Sequence, residues 1–213
     1  MKQTAVLFDL DGVLIDTEGQ YSDFWKGVGE TYYPERKDFA KEIKGKTLVQ
    51  IYQQYFLEQE DAQNAITKAL ADFEQKMSFA FIPGALHFVA SLRRHGFKVA
   101  VVTSSNQQKL KCLLNEHPDF YSLFDRVFTA EDAARSKPAP DCYLSAAASF
   151  GFEAIDCYVF EDSLNGLQAG LDSGATVVGV ATTYDAERIA PLCHHVIQDF
   201  TNFSVAAMGN LKK

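Results

Sequence analysis

Apolar and polar positions divide the chain into stretches of different kinds. Residues 4–8 (TAVLF), 98–102 (KVAVV), 157–160 (CYVF) and 176–180 (TVVGV) are short apolar runs, the pattern of strands covered on both faces. Short strands are also predicted near 126–129 and, at an edge, over 195–197. Between these runs apolar residues recur at helical spacing. Leu86, Val89 and Leu92 share one face of a helix predicted over 84–95, and further helices are predicted over 106–115, 139–150 and 166–173. Gly96 and Gly151 stand just past two of these helices, where a left-handed residue commonly ends the turn.

Residues 17–80 differ. They are rich in Gln, Glu, Lys, Tyr and Phe and show no strong strand pattern. Leu48, Ile51, Tyr52 and Tyr55 fall at helical spacing, as do Ala65, Ile66, Ala69, Leu70 and Phe73. Pro83-Gly84 marks the return to alternating strands and helices, which indicates βαβ units and a parallel sheet. The fold class is therefore α/β: a Rossmann-like parallel sheet sandwiched by helices, with an inserted all-α domain. Residues 1–15 and 82–213 form the predicted core domain, and 16–81 the insert.

A chain of 213 residues, 47% of them hydrophobic, is long enough for this arrangement. The net charge of −8 argues against nucleic-acid binding, which wants a basic face. An anionic ligand must then be held by a few local cations and backbone N–H groups. Cys112, Cys142, Cys157 and Cys193 lack metal-type spacing and read as reduced thiols. The amino-terminal MKQTAVLFDLDG lacks the apolar core of a signal peptide, and no run approaches a membrane span. These features lead to the expectation of a cytoplasmic protein with no membrane association.

Polar residues collect where the predicted strands end: Asp9 and Asp11, Thr103 and Ser104, Glu161 and Asp162. In open α/β sheets, ligands bind beyond the carboxyl ends of the strands. Two carboxylates at i and i+2 in a strand share a face and repel each other. One should take a raised pKa, or a hard divalent cation should lie between them. Asp-Gly is also a turn signal, so the tetrapeptide alone leaves a solvated turn open. A calcium loop is excluded, because Gly12 falls at its fourth position and Gln20 replaces the closing Glu. Gly45-Lys46-Thr47 fails as a phosphate-binding loop because Ala40 occupies the place of its first glycine. Gly27-Val28-Gly29 lacks the third glycine of a dinucleotide site. His87 and His95 read as structural, and His194-His195 as surface.

Four segments in order form a specific pattern: Asp9-Leu10-Asp11-Gly12-Val13-Leu14-Ile15-Asp16-Thr17-Glu18, Val101-Val102-Thr103-Ser104-Ser105, Ser136-Lys137-Pro138-Ala139-Pro140-Asp141, and Val159-Phe160-Glu161-Asp162-Ser163-Leu164-Asn165-Gly166. In these segments the chain resembles the haloacid dehalogenase-like superfamily, in particular its β-phosphoglucomutase-like group with a helical cap. The resemblance covers nearly the whole chain. It implies Asp9 as nucleophile and Asp11 as general acid and base. Thr103 and Ser104 would hold phosphoryl oxygens, and Lys137 would neutralise the transferring group. Asp9, Asp11 (through its backbone carbonyl), Glu161 and Asp162 would hold Mg²⁺. Asp16, Thr17 and Glu18 are assigned to a hinge and to capping. Lys44 and Lys46, on a loop of the cap, would meet the substrate's leaving group.

The function implied is a Mg²⁺-dependent phosphatase acting, as a monomer, on a small phosphorylated metabolite, through an aspartyl-phosphate intermediate. A sugar phosphate fits that class. The alternative is a phosphomutase of the β-phosphoglucomutase type. Ungapped alignment puts Tyr21 and Leu48 where that mutase carries a cap histidine and a cap arginine, which disfavours it, although Arg36 remains a substitute. A phosphometabolite sensor would not need the nucleophile, and dehalogenation would not need the Glu161-Asp162 pair.

Overall fold

In the computed structural model, which describes residues 4–211, every residue of β1 (Ala5–Phe8) is buried. Val6 and Phe8 enter one apolar cluster, with Val99, Val101, Phe160 and Val178. Ala5 and Leu7 enter a second, with Ala100, Val102, Val159 and Val177. Alternate residues thus serve opposite faces, as the pleat requires, and both faces are covered.

The chain continues through α1 (Glu18–Tyr32), α2 (Phe39–Glu42), α3 (Leu48–Tyr55), α4 (Glu60–Glu74) and α5 (Ala85–Arg94). It then runs through β2 (Lys98–Val102), α6 (Gln107–Glu116), β3 (Arg126–Phe128), α7 (Asp141–Ser149), β4 (Tyr158–Glu161) and α8 (Leu164–Asp172). β5 (Thr176–Val180), α9 (Ala186–Ile189), β6 (His195–Ile197) and α10 (Val205–Gly209) complete the described part. The six strands form one parallel sheet in the order β3-β2-β1-β4-β5-β6. This is the doubly wound order, and it reverses beside β1, so the carboxyl ends of β1, β2 and β4 meet at the switch point where such sheets bind ligands.

The predicted elements are all present, with ends displaced by one or two residues. β4 starts at Tyr158 and reaches Glu161, which places that carboxylate inside the strand. α8 begins at Leu164 because the Ser163 hydroxyl accepts from Gly166 N at 3.0 Å and caps the first turn. Cys112, Cys142, Cys157 and Cys193 form no disulfide among the described residues.

The helices α1 to α4 have their own apolar cluster. Trp25, Val28, Phe39, Ile43, Ile51, Tyr55, Phe56 and Ile66 form it, separate from the two clusters of the sheet. The two crossings between this insert and the sheet are hydrogen-bonded to one another. Asp16 N donates to Ala80 O at 2.7 Å and Ile82 N to Leu14 O at 2.9 Å, with an antiparallel bridge between Ile15 and Phe81. Among the described residues no helix is long and apolar enough to cross a membrane.

Candidate active site

β1 ends at Phe8, so Asp9 and Asp11 lie just beyond the strand, in the turn at Gly12. They do not sit side by side as two residues of one pleat. Each carboxylate has its own lysine. Asp9 Oδ1 accepts from Lys137 Nζ at 2.6 Å. Asp11 Oδ1 accepts from Lys109 Nζ and from the Thr17 hydroxyl, and Asp11 Oδ2 from the Ser105 hydroxyl at 2.8 Å. Gly12 has φ +73°, and a Cβ there would stand 2.1 Å from Asp162 Oδ2. The glycine therefore serves the turn and also lets Asp162 approach it.

The reading of Lys137 as a surface lysine is excluded, because it is buried. Its ammonium donates to Asp9 Oδ1, to Glu161 Oε1 at 2.7 Å and to Val102 O at 3.0 Å. Glu161 Oε1 also accepts from the Tyr143 hydroxyl at 2.8 Å. Glu161 Oε2 accepts from Asp162 N, Ser163 N and the Ser163 hydroxyl at 3.0–3.1 Å. Five donors fill the acceptor capacity of this carboxylate. Gly166 makes room for it, since a Cβ at 166 would lie 1.8 Å from Glu161 Oε1.

Carboxylate oxygens of Asp9, Glu161 and Asp162 all lie within 4.8 Å of one another. Three carboxylates face one ammonium, which leaves two excess negative charges. Burial, with Glu161 and Asp11 nearby, raises Asp9 to about 7 against the pull of Lys137. Burial and the charges of Glu161, Glu18 and Asp9 raise Asp162 well above the ordinary carboxylate value. Burial alone would lower Lys137, but Asp9 and Glu161 hold it well above its ordinary value. Asp11 goes the other way. Burial would raise it, yet Lys109 and the hydrogen bonds from Lys109, Thr17 and Ser105 hold it down. A site with an excess charge of two, built only of oxygen donors, fits a hard dication. The Asp11 carboxylate stands outside this cluster.

Asp9, Asp11, Lys137 and Asp162 open onto a cavity of about 380 Å³ between the insert and the sheet ends. Thr103 and Ser104 line it, as do Lys44 and Lys46. The Thr103 hydroxyl accepts from Ser105 N at 3.0 Å. It does not cap α6, because Asn106 does so by accepting from Lys109 N at 2.9 Å. Lys44 pairs with Glu18 at 3.5 Å, and Lys46 donates to Glu42 O with its ammonium 5.7 Å from the Tyr55 ring. Asn165 Nδ2 donates to Gly45 O at 2.8 Å and Gln50 Nε2 to Lys137 O at 3.2 Å, which joins the insert to the sheet's loops.

Two of the assigned capping residues act differently. Thr17 makes no side-chain cap on α1 and donates to Asp11, while Glu18 pairs with Lys44. Lys109, Ser105 and Tyr143 escaped the sequence reading. A signal for Lys109 exists: it lies on the buried side of α6 beside Leu110 and Leu113, where a lysine needs a partner.

The sequence profile of the haloacid dehalogenase-like hydrolases matches residues 3–174. The chain is 30% identical over 214 residues to a bifunctional riboflavin kinase/FMN phosphatase of Arabidopsis thaliana, covering 97% of this chain and 56% of that protein. It therefore spans little more than half of that relative. It is also 30% identical over 189 residues to a probable pseudouridine-5'-phosphatase of Drosophila melanogaster, covering 84% of this chain and 82% of that one. A hydrolase structure from Entamoeba histolytica, of the same family, superposes with a TM-score of 0.83 at 24% identity, covering 97% of both chains. With the four sequence segments converging on one cavity in this fold, the chain belongs to the haloacid dehalogenase-like hydrolase family.

Proposed function

We propose that the protein is a phosphatase acting on a small phosphorylated metabolite, with Mg²⁺ as its dication. The observation that carries this reading is the cluster of three carboxylates, Asp9, Glu161 and Asp162, against the one ammonium of Lys137 beside the cavity. The relatives named as phosphatases support it: one is an FMN phosphatase by name and the other a probable pseudouridine-5'-phosphatase.

In this reading Asp9, Asp162 and the Asp11 carbonyl hold the metal. Glu161, whose oxygens are taken by five donors, contributes charge and orientation. When bound, the ion neutralises phosphoryl oxygens as charge shifts between them. Asp9 attacks phosphorus as the bond to the leaving oxygen breaks, and Asp11, ionised in the free site, relays to that oxygen the proton of a monoanionic ester. A water then attacks phosphorus, Asp11 takes the water's proton, and the bond to Asp9 breaks. Thr103 and backbone N–H groups near Leu10, Asp11 and Ser104 hold phosphoryl oxygens, and Lys137 keeps its charge beside the nucleophile throughout. The helical insert acts as a cap over the cavity, hinged near 15–18 and 81–84.

The test is release of inorganic phosphate from a panel of phosphorylated metabolites with magnesium, and its loss with EDTA. β-Glucose 1-phosphate with a 1,6-bisphosphate primer separates the mutase. Glucose 6-phosphate formed without free phosphate would overturn the phosphatase reading.

Metal and pH should act together on stability. Asp9 is raised from 3.8 to about 7 in the fold, so between those values the folded state holds a proton that the unfolded chain has lost. Metal-free stability therefore falls as pH rises across this window, and a dication replaces the lost proton. The gain in melting temperature with 5 mM MgCl₂ (a chosen concentration of about the usual assay order) should be larger near the top of the window than near its bottom. An equal gain at both ends would count against the site.

Lys44 and Lys46 are expected on the leaving-group side. Lys44→Ala should raise KM for the best substrate about ten-fold, the worth of one charge-assisted hydrogen bond, with Lys46→Ala smaller because its ammonium rests on Glu42 O and Tyr55. Unchanged KM and kcat in both variants would remove these residues from the site.

A further inference from the structure

The cavity carries an acidic group, outside the dication cluster, that the proposed chemistry does not use. Glu74 ends α4 and is 7% exposed, yet it lines the cavity. Its Oε1 accepts from the Tyr21 hydroxyl at 2.8 Å. The Tyr21 ring is fixed in turn by the Lys109 ammonium 4.4 Å from its centre and by Phe73 at 5.4 Å. Glu74 Oε2 has no hydrogen-bond donor among the described residues, and among them no fully enclosed polar side-chain atom lacks a partner, so this oxygen keeps some exposure on a residue that lines the cavity. A donor brought by the cavity's occupant would serve this acceptor. Glu18, a second carboxylate lining the cavity, already holds Lys44 at 3.5 Å, which offsets the charge of that lysine. Trp25 and Leu70 also line the cavity and supply apolar surface.

We propose that Glu74, held by Tyr21, selects the leaving group: it accepts a hydrogen bond from a hydroxyl of an uncharged polyol or sugar-like alcohol, and it repels leaving groups that carry a second phosphate. This rests on the phosphatase reading and adds the class of ester to it. A second anion here would meet Glu74 and Glu18, with Lys44 already paired. An alcohol finds an acceptor in Oε2 and an apolar face in Trp25. Glu74 touches neither the phosphoryl group nor Asp9 in this arrangement, so its effect falls on which alcohol is bound.

The experiment compares kcat/KM for sorbitol 6-phosphate, p-nitrophenyl phosphate and fructose 1,6-bisphosphate in wild type, Glu74→Leu and Glu74→Gln, each checked by thermal melting. The nitrophenyl ester has no hydroxyl to offer Glu74 and serves as the internal reference. In wild type the bisphosphate should be the poorest substrate. In Glu74→Leu the ratio of sorbitol 6-phosphate to p-nitrophenyl phosphate should fall about ten-fold, the loss of one hydrogen bond to a charged group. Glu74→Gln keeps an acceptor and the shape but not the charge. Its ratio should stay within about three-fold of wild type while the bisphosphate gains on sorbitol 6-phosphate. The proposal is overturned by a ratio that does not move in Glu74→Leu, by an equal loss on both monoesters, or by a wild type that prefers the bisphosphate. If Glu74→Leu does not fold, the bisphosphate gain in Glu74→Gln decides alone. A wild type that cleaves none of the three esters defeats the phosphatase reading itself, a different result from these.

Discussion

Asp9→Asn should abolish turnover, by about 10⁴-fold or more, while leaving the fold intact and no less stable without metal. The amide has the shape of the carboxylate but cannot attack phosphorus. Lys137 loses one charged partner and keeps two contacts, Glu161 Oε1 at 2.7 Å and Val102 O at 3.0 Å. One of three clustered carboxylates becomes neutral, which removes the Asp9 charge that adds to burial, Glu161 and Glu18 in raising Asp162. The melting temperature in EDTA should therefore stay level or rise, and the gain on adding magnesium should shrink. Phosphate release and melting curves on the same preparation check both halves. Retention of more than about a hundredth of the wild-type rate in a folded Asp9→Asn protein would move the nucleophile elsewhere.

Lys137→Met should be costly in a different way. The methionine fills the volume, but Asp9 and Glu161 lose the ammonium they share at 2.6 and 2.7 Å in a largely buried site. Removing one member of a buried ion cluster costs about 3–5 kcal/mol, because the remaining charges stay buried without compensation. Urea titration in EDTA should show a loss of that order. Magnesium should recover part of it, since the ion supplies charge where the lysine did. Turnover with saturating magnesium should still fall about 10²–10³-fold, the usual effect of removing one charged stabiliser of transferred phosphoryl oxygens. A Lys137→Met protein as stable as wild type in EDTA would mean that the two carboxylates do not depend on this lysine.

The two substitutions also show what the amino-acid pattern does and does not display. The strands were legible because each is apolar along its full length. Val6 and Phe8 face one cluster and Ala5 and Leu7 the other, and a two-sided strand needs no polar positions. Helical spacing marked α3 and α4, whose buried positions Ile51, Tyr55 and Ile66 form the insert's own core. The four signature segments named Asp9, Asp11, Thr103, Lys137, Glu161 and Asp162, and all of them reach one cavity except Glu161, which lies behind Lys137 and the Ser163 turn.

The contacts between segments were not legible. Nothing along the chain says that Lys109, from α6, meets Asp11, or that Tyr143, from α7, meets Glu161, because neither pair is closer than 18 residues in sequence. Composition offered one missed hint, that a Lys or Tyr on the buried side of a helix must find a polar partner. Geometry likewise separated Asp9 from Asp11. Alternation in a strand predicts a shared face, but the strand ends one residue earlier, and the turn at Gly12 sends the second carboxylate to another lysine.

The paired crossings at Ile15 and Phe81 bring the two ends of the helical insert within one backbone hydrogen bond of each other. A segment entered and left through adjacent points can be lengthened, shortened or exchanged without moving β1 or α5, because no strand of the sheet has to shift to receive it. Asp9, Lys137 and the acidic cluster lie entirely on the sheet's side of that junction. Under the proposed function, substrate preference would then drift by replacing one module while the chemistry at Asp9 stayed untouched, and grafting another relative's helices between residues 16 and 80 would test that separation.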